Sequence, residues 1–108
     1  MSPTGTDVPS FVLTGQTVYR KDGALRLADG TLAGADLTMI DAVTYVHKPL
    51  GLPLEEVLRM ASRYPADALG VSGERGTLAP GKRADLVHLS DALAMRRAII
   101  GGETAWVA

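Results

Sequence analysis

The sequence contains no cysteine, which excludes disulfide bridges and thiolate metal sites. It has no excess of either charge: 11 basic residues stand against 12 acidic ones. No electrostatic footprint for nucleic acid or an anionic membrane follows from that balance. No apolar run approaches the ~20 residues that a membrane span requires. Histidine is scarce, with only His47 and His88. A catalytic zinc takes about three protein ligands, and neither histidine has a second ligand at helical or strand spacing. The opening MSPTGTDVPS lacks a basic stretch followed by an apolar core, so it does not read as a signal peptide. The expectation is a cytoplasmic protein with no nucleic-acid partner and no membrane partner.

The chain has 108 residues, 46% of them hydrophobic, enough for one small domain with a modest core. After the proline- and glycine-bearing leader, Phe11–Leu13 is apolar, and two alternating runs, Thr17–Arg20 and Ala24–Leu27, flank Asp22-Gly23, a hairpin signal. Apolar residues at Leu37, Ile40, Val43 and Val46 predict a helix from about Leu37 to Lys48, stopped by Pro49. Asp36 or Thr38 can cap it. A second helix begins near Pro53. Glu55 and Glu56 suit its positive end, and Leu54, Val57, Leu58 and Ala61 form its apolar stripe. Tyr64-Pro65 breaks this helix, and a short third helix covers Ala66–Leu69, with Gly70 at its stop. Strands are predicted at about Asp85–Leu89, Met95–Ile100 and Thr104–Val107, the last two joined by Gly101-Gly102. The architecture is β-hairpin, three helices, then three strands, with no parallel βαβ unit.

Gly-Thr-Leu-Ala occurs twice, at Gly30 and at Gly76. The first copy leads into helical spacing and the second, through Pro80-Gly81, into a strand pattern. A true repeat would keep its secondary structure, so these are two turns with a shared vocabulary. The stretch Gly76 to Arg83 nearly matches the phosphate-binding pattern G-x-x-x-x-G-K-[ST]. Arg83 replaces the magnesium-binding hydroxyl, Pro80 removes an N–H from the cradle, and a strand follows where a helix is needed. It reads as a turn. Glu55 with Glu56, and Asp29 with Asp36, are carboxylate pairs in sequence only. The serines lack a nucleophile setting such as G-x-S-x-G. The residues by themselves support no autonomous active site.

The run Tyr64-Pro-Ala-Asp-Ala-Leu-Gly70, then Gly76-Thr-Leu-Ala-Pro-Gly-Lys82, then Ala84-Asp-Leu-Val87 resembles the C-terminal end of the amidohydrolase superfamily. Phe11 to Tyr19, Gly30-Thr-Leu-Ala-Gly34, Leu37 to Ile40, Ala42-Val43 and Leu54 to Ala61 narrow the resemblance to the N-acetylglucosamine-6-phosphate deacetylase family, across essentially the whole chain. The resemblance implies an α+β fragment. Residues 1–70 would be the end of a (β/α)8 barrel, and residues 71–108 the C-terminal strands of a flanking small β-sandwich. It also implies that Leu32, Ala33 and Gly34 help form a sugar-phosphate site. A glycine-bearing turn at a helix N-terminus, letting backbone N–H groups approach a polar ligand, agrees with that role.

By the same match, the family's catalytic aspartate, in a Thr-Asp-Ala stretch, would fall just before Met1, with the metal ligands further upstream. A barrel takes about 250 residues, and none of its strands is present. The resemblance therefore implies that the parent enzyme uses a divalent metal, zinc or similar, while this chain binds none and is inactive alone. With its partner strands missing, it would self-associate, as a homodimer in the simplest case. Two alternatives stand beside this reading: an autonomous non-catalytic α+β binding or partner module, and the tail of another amidohydrolase. The Gly30–Ile40 segment speaks against the latter, because the general superfamily tail does not require it.

Overall fold

Two-residue turns with positive φ organise the first third of the chain. In the computed structural model, which describes residues 6–108, Thr14 (φ 48°) and Gly15 (φ 78°) join β1 (Ser10–Leu13) to β2 (Gln16–Lys21). Asp22 (φ 51°) and Gly23 (φ 75°) join β2 to β3 (Ala24–Leu27). Left-handed backbone at both central positions matches the twist of the paired strands. The Asp22-Gly23 hairpin is the expected one. The Thr14-Gly15 hairpin was not expected, because a β-branched residue seldom sits at positive φ. β4 (Leu32–Ala35) completes an antiparallel meander in the order β1-β2-β3-β4.

Pairing sets Phe11, Val18 and Leu27 in one row across this sheet, and Arg20, Leu25 and Gly34 in the next. Side chains alternate with period two along a strand, so these rows share a face. That face is the shielded one: Val18 is 2% exposed and Leu25 3%. The opposite face carries Val12, Tyr19 and Leu32, all exposed. Arg20 lies on the shielded face and is matched there. Its guanidinium pairs with Asp36, and its Nε donates to the Val8 carbonyl at 3.0 Å. A half-buried cation needs such partners. Asp36, one of two expected helix caps, is thus an ion-pair partner of Arg20.

Packing divides the chain between Thr38 and Met39 into two units. The second, Met39–Ala108, opens with α1 (Met39–His47). Val43 is its buried residue, with Ile40 and Val46 half-buried. Leu37, expected on this stripe, precedes the helix and is exposed. After α1, Leu50 N–H donates to the Tyr45 carbonyl and Leu52 N–H to the Val46 carbonyl, while Gly51 takes φ 75°. α2 (Leu54–Ala61) follows Pro53 as expected, and the Pro53 carbonyl accepts from the N–H groups of Glu56 and Val57. Val57 is buried, but Leu58 of the expected stripe is exposed. α3 (Arg63–Ala68) starts three residues earlier than expected. Pro65 falls within its first turn, where the missing N–H has no intrahelical partner to lose. Ala66 is its buried residue.

The chain then runs through a glycine-rich loop to β5 (Leu86–Leu89), β6 (Met95–Ile100) and β7 (Glu103–Val107). These form a second antiparallel sheet in the order β5-β6-β7, within a residue of the expected bounds. Gly101 (φ 59°) and Gly102 (φ 83°) make the β6–β7 turn. Asp85 fixes it, accepting from Gly101 N–H at 2.8 Å and from Arg83 Nε at 2.9 Å. Val87, Ala98 and Trp106 share one row, of which Val87 and Trp106 are exposed. The chain is therefore α+β, with two antiparallel sheets. Among the described residues, no helix is long and apolar enough to cross a membrane.

Candidate functional site

Leu32, Ala33 and Gly34 do not form the expected turn at a helix N-terminus; they form most of strand β4. Their own strand propensity is low, but β3 supplies ladder partners that override it. The pairing is irregular: Gly34 faces Leu25 and Leu32 faces Arg26, so Ala33 is the extra residue of a bulge. A bulge leaves its extra residue unpaired and re-aims the neighbouring side chains, and bulges gather at edges and beside binding sites. β4 is also an edge strand, so its outward backbone groups are not consumed by the sheet.

Gly34 adds a second feature. Its backbone is not left-handed, and a Cβ built on it would meet only Leu25 Cδ1, at 3.9 Å, an ordinary contact. The fold does not demand glycine here. A strand glycine with no internal reason suits a place where another group approaches the backbone closely.

On the exposed face of the same sheet, Tyr19, Lys21 and Arg26 line a recess of about 340 Å³ with Leu27, Ala28 and Gly30. Arg26 Nη1 donates to the Gly30 carbonyl at 3.1 Å. Asp29 Oδ1 accepts from Thr31 N–H at 2.9 Å. Hydrogen bonds from Thr31, side chain first and backbone second, hold the Asp29 carboxyl below the usual carboxylate range. Asp29 is thus an anion at neutral pH, and Asp36 is taken by Arg20, so the two are no acid–base pair. Sequence reasoning did not single out Lys21 and Arg26. The available signal was the alternation of Thr17, Tyr19 and Lys21, with the hairpin register that sets Arg26 opposite Tyr19.

The remaining candidates have structural roles. His47 Nδ1 lies 2.8 Å from the Leu52 carbonyl, closing the end of α1. His88 is exposed on β5, opposite Arg97. Among the described residues, no three His, Asp or Glu side chains are grouped to hold a metal ion. Glu56 accepts from Tyr64 Oη at 2.7 Å and from Arg59 Nε at 3.1 Å. These bonds, the tyrosine's first, lower its carboxyl. Ser62 Oγ donates to the Leu58 carbonyl at 2.7 Å, and Ser90 Oγ accepts from Ala94 N–H at 3.1 Å. The loop from Gly76 to Arg83 leads to a strand, and Lys82 Nζ donates to the Ser72 carbonyl at 2.6 Å and to Thr77 Oγ1 at 2.7 Å. It lacks the helix N-terminus of a nucleotide phosphate cradle.

This arrangement of elements recurs in known proteins. The N-acetylglucosamine-6-phosphate deacetylase of Pasteurella multocida superposes with a TM-score of 0.85 at 40% identity, over 94% of this chain and 27% of that one. A D267A mutant of the Mycobacterium smegmatis deacetylase, solved in complex with N-acetyl-D-glucosamine-6-phosphate, gives 0.77 at 33% identity, over 96% of this chain and 28% of that one. The N-acetylgalactosamine-6-phosphate deacetylase of Escherichia coli O157:H7 is 37% identical over 105 residues, 97% of this chain and 28% of that protein. The chain thus spans just over a quarter of the length of each of these. Its residues 4–105 match the amidohydrolase family as a whole, and on that match the chain belongs to the amidohydrolase family.

Proposed function

We propose that this chain is the C-terminal portion of an N-acetylglucosamine-6-phosphate deacetylase, which hydrolyses the acetamide of N-acetylglucosamine 6-phosphate to glucosamine 6-phosphate and acetate. The observation that carries the reading is the likeness, over 96% of the chain, to a deacetylase solved with that sugar phosphate. In this reading, residues 1–70 belong to the end of the barrel and residues 71–108 to the small β-sandwich. Leu32, Ala33 and Gly34 contribute to the sugar-phosphate site. The unpaired bulge residue, the open strand edge and a glycine the fold does not need all support a close approach of ligand to backbone there.

Amidohydrolases are in general metal-dependent hydrolases. The donor set described above does not fit a divalent metal: His47 is committed to a carbonyl, and among the described residues no three His, Asp or Glu side chains are grouped. The metal ligands and the catalytic aspartate therefore belong, in this proposal, to the rest of the enzyme, and this chain alone does not turn over substrate. The proposed enzyme is cytoplasmic. A second reading, that the sugar is the galacto epimer, is favoured by the 37% identity to an N-acetylgalactosamine-6-phosphate deacetylase.

A chimaera tests both. The segment of the Pasteurella multocida deacetylase that matches this chain is replaced by this chain, and acetate release is measured with each epimer. Faster turnover of N-acetylglucosamine 6-phosphate is expected, and faster turnover of the galacto epimer selects the second reading. A folded, metal-loaded chimaera that turns over neither contradicts the proposal.

A further inference from the structure

The loop after α3 brings three cations to one recess that a single carboxylate shares. Arg63, Arg75 and Lys82 line one recess of about 210 Å³, with Asp67, Ser72 and Thr77. Asp67 is the only acidic residue on its wall, and its carboxylate is 3.8 Å from Arg63 Nε, beyond hydrogen-bond reach. Three cations against one carboxylate leave two positive charges facing each other. Lys82 Nζ uses two of its donors on the Ser72 carbonyl and Thr77 Oγ1, which fixes the ammonium and leaves a third donor. No hydrogen bond holds the Arg75 side chain among the described residues; its charge acts on the Asp85 carboxylate through space.

The convergence is built into the backbone. Gly76, at φ +98°, sits against Ala66 and the Arg63 backbone of α3, so that Arg75 and Thr77 flank the point of contact. A recess of this size holds about seven waters' worth of liquid volume. That is room for one tetrahedral oxyanion and its bridging waters.

We propose that this recess binds a phosphomonoester dianion. A phosphoryl group carries about two negative charges near neutral pH and three acceptor oxygens, which matches the charge of the recess and its free donors. Guanidinium groups suit phosphate because they donate in a planar fork. The recognition runs through side-chain cations, not through a backbone cradle, so the broken resemblance of the 76–83 loop to a nucleotide-binding loop does not bear on it. The site goes beyond the proposed deacetylase reading and does not depend on it.

The chemistry can come from inorganic phosphate or from an organic phosphomonoester. The whole chain is titrated calorimetrically with sodium phosphate and, separately, with glucose 6-phosphate, at constant ionic strength maintained by sodium chloride. Saturable one-to-one binding is expected above pH 6 or so, where the dianion forms. Arg75→Gln and Arg63→Gln should each weaken it about tenfold, the worth of one charge-assisted hydrogen bond. The urea midpoint of Arg75→Gln in chloride should move little, because the side chain's interaction with the exposed Asp85 carboxylate is through space, without a hydrogen bond. Tenfold tighter binding of the sugar phosphate identifies an organic ligand, and equal binding shows that the phosphoryl group alone is read. Heats no different from the chloride blank, or both variants binding as the parent does, overturn the proposal.

Discussion

Replacing Gly76 by alanine perturbs one atom whose surroundings are fixed on three sides. An added Cβ would lie 2.8 Å from Ala66 Cβ, 3.3 Å from Arg63 Cα and 3.4 Å from the Ser62 carbonyl oxygen. Two of these contacts are backbone, so nothing flexible yields. The residue is also held at φ +98°, which costs a residue with a Cβ roughly 1–2 kcal/mol. Overpacking adds about 1–3 kcal/mol, for an expected loss of about 3 kcal/mol. With a urea slope near 1.5 kcal/mol/M, the midpoint falls by about 2 M. Gly70→Ala separates the two causes. Gly70 sits at φ +72° with nothing within 4 Å of its virtual Cβ, so only the backbone cost applies, about 1 kcal/mol. Adding Ala66→Gly to Gly76→Ala should recover part of the steric loss, less the cost of about 1 kcal/mol for glycine in a helix. Urea melts followed by circular dichroism measure all three variants. A Gly76→Ala midpoint equal to that of Gly70→Ala would refute the argument that the loop is seated on α3 through this glycine.

Gly34→Ala should leave stability unchanged or raise it by up to about 1 kcal/mol, because the fold has room for the methyl and strand glycine carries an entropic cost; a loss above that size in a urea melt would show that glycine is structurally required. Asp85 has its carboxyl held below the usual range, first by the Gly101 N–H and then by Arg83. Its stabilisation is therefore fully present above the unfolded-chain value, about 3.9, and is lost as pH falls through the lower folded value. Urea midpoints of the parent and Asp85→Asn should differ at pH 6 or so and converge toward about pH 2; a constant gap contradicts this. The chain alone exposes Val12, Tyr19 and Leu32 on one sheet and Val87 and Trp106 on the other, and exposed apolar rows seek cover. Light scattering across a concentration series should show self-association, and a monomer at every concentration would remove this expectation.

The strands after Ala84 were legible because alternation, Gly101-Gly102 and β-rich composition all point the same way. The Asp22-Gly23 hairpin was legible for the same reason. The Thr14-Gly15 turn was not, since threonine at positive φ is disfavoured and only the paired strands hold it there. The nature of Leu32–Gly34 was hidden too. Small residues after Asp29-Gly30 read as a turn, and the strand arises from pairing with β3, a non-local cause that no window of sequence contains. Asp36 looked like a helix cap in its local setting, but its partner Arg20 is sixteen residues away. The start of α3 was placed too late because Pro65 looked like a helix start, although proline is tolerated within the first turn. The cations Arg63, Arg75 and Lys82 are scattered along twenty residues and meet only because Gly76 folds the loop back on α3.

The central claim is that Leu32–Gly34 lies against the sugar phosphate in the complete enzyme. Its most direct test is the Gly34→Val variant of the chimaera, with kcat, KM and urea midpoint measured together. The account predicts that KM for N-acetylglucosamine 6-phosphate rises at least tenfold, because the added bulk blocks approach to the backbone, while the variant stays folded and its loss of stability keeps within the roughly 1–3 kcal/mol of overpacking beside Leu25. Unchanged kinetics in a folded variant would contradict it and remove these residues from the site.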